Sequence, residues 1–132
     1  MRLWHQKLIP KLPRQQILGL HREICALRGN SWGKKHSTVD YVFKYPQECL
    51  IAFHMLVIHE MKDRGYNVDS NWLNPRYRGK RCKPHNYDDL SDVLGNLLVG
   101  SARYEDKMLY QEHNDAYYQE CIENLKCKGV NI

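Results

Sequence analysis

The chain has 132 residues, 27% of them charged and 42% hydrophobic. That balance fits one globular domain over 1–132 and excludes a disordered chain. The longest apolar run is about five residues against the roughly 20 that a bilayer span needs, so no membrane segment is expected. The opening Met1-Arg2-Leu3-Trp4-His5-Gln6-Lys7 lacks the apolar stretch of a secretory signal. Five scattered cysteines, Cys25, Cys49, Cys82, Cys121 and Cys127, read as reduced thiols of a cytoplasmic protein.

The net charge is +5, and its placement is uneven. Residues 1–44 carry nine Lys/Arg against two acids, and residues 71–85 carry Arg76, Arg78, Lys80, Arg81 and Lys83 with no acid. Residues 86–132 carry four cations against nine acids. Positive charge gathered in two stretches suits a face that binds a polyanion, although a solvated basic surface has the same composition.

In chain order, the first helix is expected from about Pro13 to Arg28. Proline suits its first turn, Ile17, Leu20, Ile24 and Leu27 recur at spacings of three and four, and Gly29-Asn30 stops it. Residues 31–45 read as a basic loop holding Lys34 and Lys35, with room for a short helix. A second helix is expected from Pro46 to near Arg64, with Leu50, Phe53, Val57 and Met61 on one face. Gly65 supplies its left-handed end and Tyr66 packs back on the last turn. Residues 67–87 lack periodicity and read as a long loop. A third helix, capped by Asp88, Asp89 or Ser91, is expected through Leu98 with room to continue past Gly100 to Leu109, and a last one from roughly Asn114 to Lys128, closed by Gly129. No stretch alternates as a strand does. The expected fold is all-α: a compact single-domain bundle of three to four helices with long basic loops.

Met61-Lys62-x-Arg64-Gly65-Tyr66-Asn67-Val68 and Leu125-Lys126-x-Lys128-Gly129-Val130-Asn131-Ile132 look alike. Shared helix-stop chemistry explains the likeness more simply than duplication does.

Few residues carry obvious chemistry. Cys82-x-x-His85 has the spacing of half a zinc site, but a closed site needs two more ligands and nothing selects His113 or Cys121 for them. His54 and His59 are five apart and do not share a helix face. No glycine-rich phosphate loop or nucleophile elbow is present. No metal and no other cofactor is expected. The first helix is more informative, because it places Glu23 beside Arg22 in the most basic third of the chain. Such an acid is either an ion-pair partner or a chemical group.

Gln15 with His21-Arg22-Glu23, the basic Lys34-Lys35-His36, the helix stop 61–68, Arg78-Gly79 followed by Pro84-His85, and Ser101-Ala102-Arg103-Tyr104-Glu105-Asp106-Lys107 occur in a shared order with one family. The chain resembles the pyrimidine-dimer DNA glycosylases of the phage endonuclease V type and their bacterial relatives, nearly end to end. The resemblance implies an all-helical DNA repair glycosylase with AP-lyase activity. Its N-terminal α-amine would attack the deoxyribose C1′ of a damaged nucleotide to form an imine. Glu23 would support that step and the following β-elimination, with Arg22 beside it. In the phage enzyme the initiator methionine is removed, whereas Arg2 here should keep Met1 in place and make Met1 the nucleophile. Contacts to double-stranded damaged DNA would come from Arg2, Gln15, Arg28, Lys34, Lys35, Arg76, Arg78, Lys80, Arg103 and Lys107, on a monomer. A non-catalytic nucleic-acid-binding protein with the same basic face is the competing expectation.

Overall fold

The computed structural model describes residues 2–34, 38–86 and 108–132. Among these are three α-helices, α1 (Arg14–Arg28), α2 (Gln47–Asp63) and α3 (Asp115–Cys127), and no strand. Short 3-10 turns cover Gln6–Lys11, Asp40–Lys44 and Ser70–Leu73. The all-helical expectation holds, with each of the three helices within about a residue of its expected bounds. The helix expected from Asp88 lies outside the described residues. No described helix is long and apolar enough to cross a membrane.

Local chemistry sets the helix limits. Pro13 and Pro46 sit extended immediately before α1 and α2. At α3 the Asn114 side chain accepts from Tyr117 N at 2.9 Å, satisfying one of the first free amides. The C-terminal ends of α2 and α3 share one geometry. Tyr66 N donates to Met61 O and Val130 N to Leu125 O, each at 2.9 Å, around Gly65 and Gly129 with φ near +80°. The similar sequences at these two ends are therefore the same stop written twice.

α1 ends differently. Gly29 has φ −98°, so left-handed backbone is not its reason for being glycine. A Cβ there would lie 2.6 Å from Arg78 O, so glycine is needed where the 67–86 loop crosses the helix end.

α1 and α2 pack through Ile17, Leu20, Ile24 and Leu27 against Leu50, Phe53, Val57 and Met61, all buried. The N-terminal segment belongs to this core, with Leu3, Trp4, Leu8, Ile9 and Leu12 at 5% exposure or less. It is stitched to the region around α3. Tyr117 Oη donates to Leu3 O at 2.5 Å, Gln6 N donates to His113 Nδ1 at 3.0 Å, and Leu109 N donates to Gln6 Oε1 at 2.9 Å. Because His113 Nδ1 accepts, its proton sits on Nε2 and is donated to the Tyr41 hydroxyl at 2.7 Å. Burial keeps this imidazole neutral, pushing its pKa down to about 3.

Candidate active site and basic face

One face of α1 is left open to a ligand. Gln15, Gln16, Gly19, Leu20 and Glu23, at helical spacings of one, three and four, line a cleft of about 380 Å³. Its other walls come from both ends of the chain: Arg2 and Trp4 from the N-terminal segment, Asn124 and Lys128 from α3, with Thr38 completing the rim. The volume lies within the range of small-ligand sites. Gly19 keeps the floor open, since a Cβ there would meet nothing within 4 Å. Glu23 is half-buried with Oε2 withdrawn from solvent, and two cations share its cleft. Arg2 lies over the Tyr117 ring at 5.8 Å and 3.8 Å from Glu120, while Lys128 Nζ lies over the Trp4 ring at 5.4 Å. A carboxylate that shares a walled cleft with cations can hold or move a proton next to a bound polyanion.

Of the expected site residues, the structure brings Glu23, Gln15 and Arg2 into this one cleft. Arg22 is exposed on the same helix, one heptad beyond Gln15, and Lys34 and Lys80 are exposed. Met1, Lys35, Arg103 and Lys107 lie outside the described residues.

Arg28 requires a correction. Expected among the DNA contacts, it is 4% exposed. Its guanidinium donates to Trp72 O at 2.9 Å, Asn74 O at 3.0 Å and Tyr77 O at 3.2 Å. Counting charges along a sequence cannot distinguish a solvated cation from a buried one whose donors are taken up by carbonyls. Arg76 and Arg78 are half-buried and also engaged. Arg76 Nε donates to His85 O at 2.7 Å, while Arg78 donates to Arg28 O and Gly29 O, each at 3.1 Å. The exposed cations of the loop are Lys80, Arg81 and Lys83. The loop is thus a braced platform, with three arginines holding its shape and a lysine-rich tip facing solvent.

Sequence reasoning missed Trp4, Gln16, Thr38, Asn124 and Lys128 in the cleft. It also missed a group on the opposite side of α1, where His21 Nδ1 and His54 Nε2 are 2.8 Å apart beside Cys25. Desolvation lowers the pKa of both imidazoles and raises the Cys25 thiol to about 12. The His21–Cys25 spacing of one helical turn was the available signal. Cys82 and His85 join no group of three ligating side chains among the described residues.

No curated protein and no solved structure matches the chain. A family model does, the one described as pyrimidine dimer DNA glycosylase, over residues 1–74. The match takes in α1, α2 and the Gln15, Arg22 and Glu23 positions, and stops short of the Lys80 tip and of α3. The chain belongs to the pyrimidine dimer DNA glycosylase family.

Proposed function

We propose that the chain is a glycosylase with AP-lyase activity on damaged duplex DNA, pyrimidine dimers or related lesions, and that the Glu23 cleft receives the damaged nucleotide's sugar. The observation that carries this reading is that Arg2, which follows Met1 in the sequence, and Glu23 line the same cleft. The amine of Met1 attacks C1′ with its lone pair, and the glycosidic bond breaks with its electrons leaving on the base. Loss of a proton from nitrogen and opening of the sugar ring give the imine. Glu23 shuttles protons in these steps and in the removal of the C2′ proton that expels the 3′ phosphate. An α-amine titrates near ~7.7–8.0 and a lysine near ~10.4, so only the former is appreciably neutral near pH 7. Arg22, Lys34, Lys35, Lys80, Arg103 and Lys107 hold phosphates and set register without reading sequence. Gln15 contacts the lesion.

Borohydride reduction in the presence of abasic-site DNA tests the chemistry. A covalent adduct that maps to Met1 is expected. An adduct on a lysine, or full activity in a chain acetylated at Met1, overturns the role of the amine. Binding without any adduct favours the non-catalytic reading.

A further inference from the structure

The face of α1 turned away from the cleft carries a second set of chemically competent side chains. His21 and Cys25 stand one turn apart on α1, and His54 reaches them from α2; their ligating atoms lie within 4.8 Å of one another. Cys25 Sγ is 3.9 Å from His21 Nδ1 and 3.9 Å from His54 Nε2, and the two nitrogens are 2.8 Å apart. Tetrahedral zinc with bonds of ~2.3 Å to sulfur and ~2.0–2.1 Å to nitrogen needs edges of about 3.6 Å and about 3.3 Å. The existing triangle therefore differs from a metal-binding one by about 0.3–0.5 Å on each edge.

Arg28 fixes where the protons are. Its Nη1 lies 2.9 Å from His54 Nδ1, and a guanidinium only donates. His54 Nδ1 therefore accepts, and the imidazole proton sits on Nε2, shared with His21 Nδ1. We propose that His21, Cys25 and His54 bind a zinc-class divalent ion in the place of that shared proton, as a clamp between α1 and α2.

The exchange balances. The Cys25 thiol proton and the His54 Nε2 proton leave to solvent, which makes His54 an imidazolate held between the ion and the Arg28 guanidinium, and bonds form from the ion to the thiolate, to His54 Nε2 and to His21 Nδ1. Two positive charges enter and two leave, so the charge beside the buried Arg28 does not change. Arg28 keeps its bond to His54 Nδ1, where a metal-bound histidine ordinarily donates. A release of two protons per ion is the signature of this arrangement. Solvent on the half-exposed side of His21 completes the coordination. Because the site faces away from Glu23, the ion braces the scaffold and takes no part in the cleft chemistry.

Cobalt(II) added to the reduced full chain tests the assignment. One equivalent should produce a thiolate-to-cobalt charge-transfer band, lost on addition of zinc(II). Zinc(II) binding should release two protons and raise the melting temperature by several degrees at saturating metal. Cys25→Ser, which keeps the side chain's size, should abolish the band and weaken zinc binding ~10²-fold with an unchanged far-ultraviolet circular dichroism spectrum. Cys82→Ser and His85→Gln should leave both intact. Absence of the band, or a band that survives Cys25→Ser, overturns the proposal.

Discussion

Arg28 and Arg78 exchange hydrogen bonds across the C-terminal end of α1. Arg28 reaches out to Tyr77 O, the carbonyl just before Arg78, and Arg78 reaches back to Arg28 O and Gly29 O. Each guanidinium thus satisfies carbonyls on the other's segment, and Arg78 also sets a positive charge at the negative end of the helix dipole. Arg28→Ala should lower stability by about 3 kcal/mol in urea denaturation, because it strips donors from three part-buried carbonyls at once. Arg28→Lys should recover little, since one ammonium cannot reproduce the planar fork. A variant of unchanged stability that had lost only DNA affinity would show that Arg28 acts as a phosphate ligand instead.

The exposed tip gives a cleaner electrostatic test than the braced arginines do. Replacing Lys80, Arg81 and Lys83 together with Ala should weaken duplex binding and reduce the slope of log K against log salt by about 2–3, at ~0.9 per phosphate contact. The fold should be unaffected, because all three side chains are exposed. Replacing Arg76 or Arg78 would confound the measurement by releasing the loop from His85 O or from the end of α1.

Glu23→Gln keeps the size and hydrogen-bonding reach of the side chain while removing its charge. Strand cleavage at an abasic site should fall ~10²-fold or more with binding retained, as for loss of a positioned acid/base group. Cleavage within a few-fold of the parent would reduce Glu23 to an ion-pair partner of cations such as Arg22.

Gly19 separates helix stability from access to the cleft. With open space where its Cβ would stand, Gly19→Ala should stabilise α1 by about 1 kcal/mol, measured by thermal unfolding. Gly19→Leu should extend into the cleft and cut lesion processing at least ~10-fold, leaving binding to undamaged duplex unchanged. Full processing by Gly19→Leu would place the reacting sugar elsewhere.

Stability should fall on the acid side. The folded His113 has a pKa near 3 against an ordinary 6.5, because burial opposes its charging. His54, His5 and His21 are lowered in the same direction, desolvation being the largest cause in each. The neutral forms favour folding in full above about pH 6.5, and the contribution drains away as pH falls toward 3, where the unfolded chain binds more protons. An acid titration followed by circular dichroism should show this loss, and His113→Gln should flatten part of it. A stability profile level from pH 7 to pH 4 would contradict the buried neutral assignment.

Helix limits were legible because they rest on local chemistry: Pro13 and Pro46 before their helices, Asn114 as a cap, Gly65 and Gly129 after. Glu23 and Gln15 were legible as a pattern on one helix. The remaining cleft was not, because Asn124 and Lys128 meet Glu23 only through packing between segments about a hundred residues apart, and Trp4 joins them from a stretch without helical period. The 3-10 turn at Gln6–Lys11 was hidden by Pro10 within it and by its lack of helical period. The burial of Arg28 was opaque for a related reason: its partners are backbone carbonyls of the 72–77 stretch, which no side-chain pattern announces.

The stitching of Leu3 to Tyr117 and of Gln6 to His113 has a consequence for synthesis on the ribosome. Leu3 and Gln6 can complete these hydrogen bonds only after residues 113–117 have been made. Two cleft walls, from Arg2 and from Lys128, therefore come together only after residue 128 has been made. A nascent chain that has not reached α3 would carry Glu23 on a helix without the wall that Asn124 and Lys128 supply. The cleft is in this way withheld until the α3 segment has joined the fold.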